Sequence, residues 1–355
     1  MNQTKRTEVI SNSNLLLIIA AVIFVLMYGF AILRYPGSFL QYQTFFDMFS
    51  LNAPLIILTL GLSIVMIGGG IDISVGAVTG LVTMCCAVFL EFGPRNIGGS
   101  MLLALGIGIA FGLLQGFLIA YLEIQPFIIT LAGMFLANGL LTTIHKDPLN
   151  VTLPDFVRLR DSEIVIQWLG ITNRLGKFIP LTIKPGAVIA LALVVLMVIL
   201  MHWSRFGRNL YAVGGNSQSA LMLGINVKRT KFYSYALCGL LTGIAGFVFI
   251  LTTGAGNVGN ATGFEMKAIA GSIIGGTMLS GGVGNLIGSP VGALTLLTIN
   301  ELIRAAGVNS NFQAIASGMM LCIFIVLQSS VLWLRGKGRF RLVLPAWLSR
   351  SGENG

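Results

Sequence analysis

Asp72 is the residue with the most chemical potential in this 355-residue chain, and it lies within Ile67–Gly80, IGGGIDISVGAVTG. It is the only charged residue between Leu51 and Leu90. A carboxylate inside a membrane costs roughly 2.5–3.5 kcal/mol on insertion scales, so it faces protein or water and takes a partner. Three roles are open to it. It can accept backbone N–H groups and cap a helix that restarts after the glycines, which suits the spacing of Asp72 and Ser74. It can line a water-filled path and accept hydroxyl donors. It can carry protons.

Other reactive types are sparse. His145 and His202 lie far apart near the ends of apolar runs, and Cys85, Cys86, Cys238 and Cys322 sit in apolar runs without CxxC spacing. Small packing residues are expected there, with no metal and no disulfide. GAGNVG at Gly254 fits GxGxxG, but it follows a membrane helix and opens no βαβ unit. GxxxxGK[ST] does not occur, so any ATP hydrolysis is expected on another subunit. No Ser/His/Asp or paired-carboxylate constellation appears, and neither catalytic activity nor a cofactor is expected.

The elements that must position Asp72 are membrane helices. Hydrophobic residues make up 55% of the chain, charged residues only 10%, and the mean hydropathy is +0.89. A soluble domain carries about 25% charged residues, so this chain cannot cover a water-facing surface. One crossing takes about 20 residues. Asn14–Leu33 makes one span, and its full length argues against a cleavable signal. Leu51–Leu90 is about twice one crossing and breaks at Gly68-Gly69-Gly70, with Asp72–Ser74 capping the restart. Gly99–Leu122, Pro126–Ile144, Gly186–Trp203 and Phe232–Thr253 follow. Ala268–Asn300 is again too long and breaks at SGGVGNLIGSP, and Asn311–Leu334 is last. The expectation is a single all-α transmembrane domain over 1–355 with ten spans.

The net charge of +10 is clustered beside these spans. Lys5 and Arg6 precede the first. Arg205, Arg208, Lys228, Arg229 and Lys231 share the loop 204–231, and Arg335, Lys337, Arg339 and Arg341 follow the last. Ten spans bring all three clusters to one side, so both termini and this loop are expected in the cytoplasm. Such placement points to lipid and orientation, not nucleic acid. The loop 145–185 falls outside, with six basic and four acidic residues.

Two pieces echo each other. IGGGIDISVGAV at Ile67 is similar to IGGTMLSGGVGNLIG at Ile274, and PFIITLAGMFL at Pro126 to NFQAIASGMML at Asn311. If spans two to five correspond to seven to ten, the offset is odd and the repeats are inverted, a transporter signature. In the cytoplasmic loop, Asn216 or Ser217 can cap a short helix, SQSALML, with Gly224 placed for a left-handed end. Its leucines need a cover, either this protein's own membrane face or a partner.

Together, GGGIDISVGAV, PFIITLAGMF, FGRNLYAVGGNSQSALMLGI and GSIIGGTMLSGGVGNLIGSPVGA resemble the permease subunit of ABC importers for monosaccharides, of the ribose/arabinose/galactofuranose type. The resemblance covers about residues 45 to 330 and is nearest to the galactofuranose branch. Ile73 and Ala77 stand where the family more often has Leu and Ser. It implies a bacterial inner-membrane permease with a second permease copy or paralogue, ATP-binding subunits and a periplasmic sugar-binding protein. The loop helix would be the coupling helix, with Asn216, Ser217, Ala220, Leu221, Leu223 and Gly224 at the ATPase contact. Candidates for the sugar path are Asp72, Ser74, Gln115, Phe127, Thr130, Asn138 and Asn300, polar residues within spans or a stacking aromatic. The alternative is a proton-coupled secondary transporter of a small polar solute.

Overall fold

A computed structural model describes residues 12–172, 178–308 and 311–336. The terminal basic residues Lys5, Arg6, Lys337, Arg339 and Arg341 lie outside the described residues. Helix α1 (Asn12–Arg34) ends before Pro36, which opens the single turn α2 (Pro36–Phe39). Helix α3 (Tyr42–Leu51) follows and bends by 60° into α4 (Ala53–Ile67) at Asn52, just before Pro54. Every residue of α4 is buried, as befits a helix that is apolar all round. It stops at the glycines, where Gly69 takes φ 78°. After this break come α5 (Val75–Glu91), α6 (Ile97–Ala120) and α7 (Pro126–Ile144).

At the far end of these helices lies a small mixed layer: β1 (Leu149–Asn150), α8 (Pro154–Asp161), β2 (Ile164–Thr172) and β3 (Phe178–Ile183). Strands β2 and β3 pair antiparallel, with Ile164 opposite Ile183 and an irregularity between Ile166 and Gly170. Gln43 of α3 pins this hairpin, donating to Thr182 O at 3.2 Å and accepting from Thr182 N at 3.0 Å. Helix α9 (Pro185–Trp203) returns to the end that carries α10 (Arg205–Gly215) and α11 (Ser217–Met222). Then come α12 (Val227–Thr253), β4 (Ala255–Gly256), α13 (Phe264–Ile274), α14 (Gly288–Ala305) and α15 (Asn311–Gly336). Strand β4 pairs antiparallel with β1, Leu149 opposite Gly256.

The protein is a multi-pass helical membrane protein with two small ribbons added. Among the described residues, helices α1, α6, α7, α9 and α12 are long and apolar enough to cross a membrane, and the bent pair α3–α4 makes a sixth. The 11 residues of α13 rise roughly 16 Å, about half a hydrocarbon core. Length alone therefore does not yield ten crossings. Helix α12 begins at Val227, not Phe232, because Asn226 Oδ1 accepts Arg229 N at 2.9 Å, so Lys228, Arg229 and Lys231 stand on its first turns. Helices α6 and α12 meet through glycines: a Cβ on Gly112 would fall 2.6 Å from Tyr235 O, and one on Gly239 2.7 Å from Gly112 Cα.

The echo divides on inspection of helix direction. Ser272 Oγ donates to Thr59 O at 3.1 Å and Thr277 Oγ1 to Ser63 Oγ at 3.4 Å, so α4 and α13 run the same way. Their glycine-rich exits adjoin, with Gly282 N donating to Ile67 O at 2.8 Å. The glycine pair is therefore not related by an odd offset of crossings. Its likeness in composition reflects a shared demand for close backbone approach. The second pair behaves as expected: α7 starts beside Gly68–Gly70, whereas the first turns of α15 lie beside Gly263 and Lys267 at the opposite end.

Candidate translocation and coupling sites

The glycine break delivers Asp72 to a buried cluster. Asp72 Oδ1 accepts Ser74 N at 2.9 Å and Ser74 Oγ at 2.7 Å, an Asx-type turn at the start of α5. Gln115, from the C-terminal part of α6, donates through Nε2 to Ser74 Oγ at 2.9 Å. The Ser74 hydroxyl thus lies within donating reach of both Asp72 Oδ1 at 2.7 Å and Gln115 Oε1 at 3.3 Å, and all three side chains are buried. Tyr235 of α12 closes the break by donating its hydroxyl to Ile71 O at 3.0 Å. The Cys238 thiol, one turn on, faces Asp72. Helix α7 leans on the cluster at Gly133, where a Cβ would collide with Gln115 Nε2.

The remaining path candidates do not join this cluster. Thr130 is buried and bonds back to Pro126 O at 2.9 Å within α7. Phe127 and Asn138 stand on the exposed face of the same helix. Asn300 is remote, on α14, where it lines a cavity of about 410 Å³ with Lys267, Gln313 and Ser317. Its Oδ1 is buried without a hydrogen-bond partner among the described residues.

At the end that carries the glycine breaks, α11 is built as the spacing suggests. Asn216 Oδ1 accepts Ser219 N at 2.9 Å, Gly224 takes φ 78°, and Ile225 N donates to Ala220 O at 3.1 Å. Ala220 is buried, but Leu221, Met222 and Leu223 are 59%, 86% and 79% exposed, so the protein's own membrane face does not cover them. Met222 belongs with the two leucines, and its place between them in SALML was the available signal. Beside α11 lies a cavity of about 730 Å³, bounded by Gly68–Gly70, the α6–α7 turn and the start of α12. Across it Lys228 Nζ meets Glu123 Oε1 at 2.9 Å, and this hydrogen bond holds the Glu123 carboxyl below the usual carboxylate range.

Sequence reasoning passed over α10. Phe206, Leu210 and Val213 recur at helical spacing, and that period was the signal for it. Leu210 and Val213 are buried, and Tyr211 donates to Gly284 O at 2.9 Å. Among the described residues, no group of three or more His, Cys, Asp or Glu gathers to hold a metal ion.

A broken apolar helix bundle, a sealed polar cluster at its break and an exposed apolar helix at one end together define a membrane transport component. The chain belongs to the family described as branched-chain amino acid transport system / permease component, whose model matches residues 44–324. It is 35% identical over 324 residues to the fructose import permease protein FruG of Bifidobacterium longum, covering 89% of this chain and 91% of that one. It is 37% identical to the inner membrane ABC transporter permease protein YjfF of Escherichia coli, covering 90% and 94%. Against the ribose import permease protein RbsC of Escherichia coli it is 31% identical over 88% and 91%. No solved structure matches it.

Proposed function

We propose that this chain is the membrane-spanning subunit of an ATP-driven importer that moves a monosaccharide into the cytoplasm. The observation that carries the reading is the near end-to-end likeness to permeases named for fructose and ribose import. The chemistry of the bundle fits a neutral solute better than the amino acids in the family's description. A zwitterion calls for opposed charges along its path, whereas Asp72 is the one charged residue in the buried cluster and Ser74 engages its Oδ1. Asp72, Ser74 and Gln115 lie beside the path, and Phe127, Thr130, Asn138 and Asn300 contribute elsewhere along it.

In this reading the helices pass the bacterial inner membrane ten times, with α10, α11 and both termini in the cytoplasm and residues 145–185 outside. ATP is hydrolysed by separate subunits that dock on Asn216–Gly224, where Leu221 and Leu223 supply the apolar contact. A second permease copy or paralogue and a periplasmic sugar-binding protein complete the assembly. The buried carboxylate of Asp72 motivates one competing reading, proton-coupled transport.

Uptake into vesicles separates the two. Vesicles containing the permease and its ATPase, with the binding protein outside, are given labelled ribose, fructose or galactofuranose. ATP-dependent uptake of one of these should survive an uncoupler. Uptake abolished by the uncoupler at constant ATP would replace this reading with proton coupling.

A further inference from the structure

The helix that carries α11 meets both glycine breaks backbone to backbone. Gly214, in the last turn of α10, sits so close that a Cβ there would collide with Ile67 O and fall 2.6 Å from Gly282 N. A Cβ on Gly281 would fall 2.7 Å from Gly214 O and 2.8 Å from Gly69 Cα. Three chain segments thus meet with no side chain between them: the exit of α4, the exit of α13 and the end of α10. Gly69, Gly281 and Gly282 take φ of 78°, 83° and 71°, conformations that L side chains rarely adopt. Two hydrogen bonds lock the contact, Gly282 N to Ile67 O at 2.8 Å and Tyr211 Oη to Gly284 O at 2.9 Å.

This junction lies between the exposed helix and the buried cluster. Only Asn216 separates α10 from α11, and its side chain caps α11. On the other side of the contact, only Gly70 and Ile71 separate Gly69 from Asp72. Side chains can absorb a displacement by changing rotamer, but a backbone contact can only transmit or break. We infer that Gly214 is the positioning residue through which force on α11 reaches both broken helix pairs, so that ATPase movement shifts the Asp72–Ser74–Gln115 cluster. The inference rests on the proposed ATP-driven reading and adds the route by which that drive arrives.

Gly215 supplies a matched control. It is the next residue of α10, and a Cβ there meets nothing within 4 Å. Gly214→Ala and Gly215→Ala change helix propensity alike, so a difference between them isolates the contact. The full complex is reconstituted in liposomes, and ATP hydrolysed and sugar taken up are measured together. For Gly214→Ala we expect normal co-purification with the ATPase and continued hydrolysis, but uptake per ATP lowered roughly 5- to 150-fold, the usual range of coupling between sites. Gly215→Ala should match wild type, and Tyr211→Phe should show a smaller loss than Gly214→Ala. Wild-type uptake per ATP in an assembled Gly214→Ala complex would overturn the inference. Should Gly214→Ala fail to assemble, unchanged uptake per ATP in Tyr211→Phe would overturn it instead. If wild type shows no ATP-driven sugar uptake, the functional reading fails, and the junction is then judged by hydrogen exchange. ATP should change protection at 68–72 and 280–284 in wild type and Gly215→Ala but not in Gly214→Ala, and an equal change in all three would also overturn it.

Discussion

Asp72 answers to two demands at once, and its neighbours separate them. As an acceptor it serves the Ser74 N–H and the Ser74 hydroxyl through one oxygen. That duty belongs to shape and lone pairs, not to charge. Asn presents an oxygen in the same place, so Asp72→Asn should fold normally and retain substantial sugar uptake. Leu presents none, and a buried donor left without its acceptor costs about 1–3 kcal/mol. Asp72→Leu should therefore lower the yield of monodisperse permease in detergent, before any transport assay is run. Size-exclusion profiles and uptake of the two variants, measured side by side, test this. If Asp72→Asn abolished uptake at normal yield, the carboxylate would be acting on the solute or on protons and not as a turn acceptor.

Helix α11 depends on its exposed apolar face. Six residues cannot hold a helix by propensity alone, and this one is fixed by the Asn216 cap, the left-handed Gly224 and the burial of Ala220. Leu221, Met222 and Leu223 are left outside, and buried apolar anchors dominate protein interfaces. Leu221→Asp should insert normally, fail to co-purify with the ATPase and fail to support uptake, whereas charge changes at Arg205 or Arg208 should matter less. Normal co-purification and uptake would place the ATPase contact elsewhere. The same stretch shows what a sequence makes legible. Caps and breaks are local, so Asn216, Gly224, the glycine triplet and the bounds of α7 could all be read directly. The ribbon of β1 with β4 joins segments about a hundred residues apart through four residues, too few to carry a period. The convergence of Asp72 with Gln115 was likewise invisible, because nothing in either segment names the other. The two glycine loops looked like copies, yet the direction of their helices had to be seen before they could be recognised as neighbours.

At the scale of the whole molecule, the contacts divide the chain ends of the helices into two sets. Gly282 touches Ile67, the start of α7 shares a cavity with α11 and the start of α12, and Asn285 of the second loop bonds Asn14 of α1. All of these belong to one end. At the other, β1 pairs with β4, Thr152 Oγ1 donates to Glu91 Oε1 at 2.7 Å at the end of α5, and Gln43 reaches the hairpin. The basic residues Arg205, Arg208, Lys228, Arg229 and Lys231 fall in the first set, while the second carries Asp147, Asp155, Asp161 and Glu163 among its charges. An excess of Lys and Arg in short loops marks the cytoplasmic side. A reporter enzyme active only outside the membrane should therefore be active when fused within 150–180 and silent when fused at 215 or 345. A fusion at 215 reads the α10–α11 end directly, with six passages before it if α3–α4 crosses once and α5 crosses as well. An active fusion there would place α11 outside, remove its access to ATP-binding subunits, and overturn both the count of ten passages and the coupling role built on it.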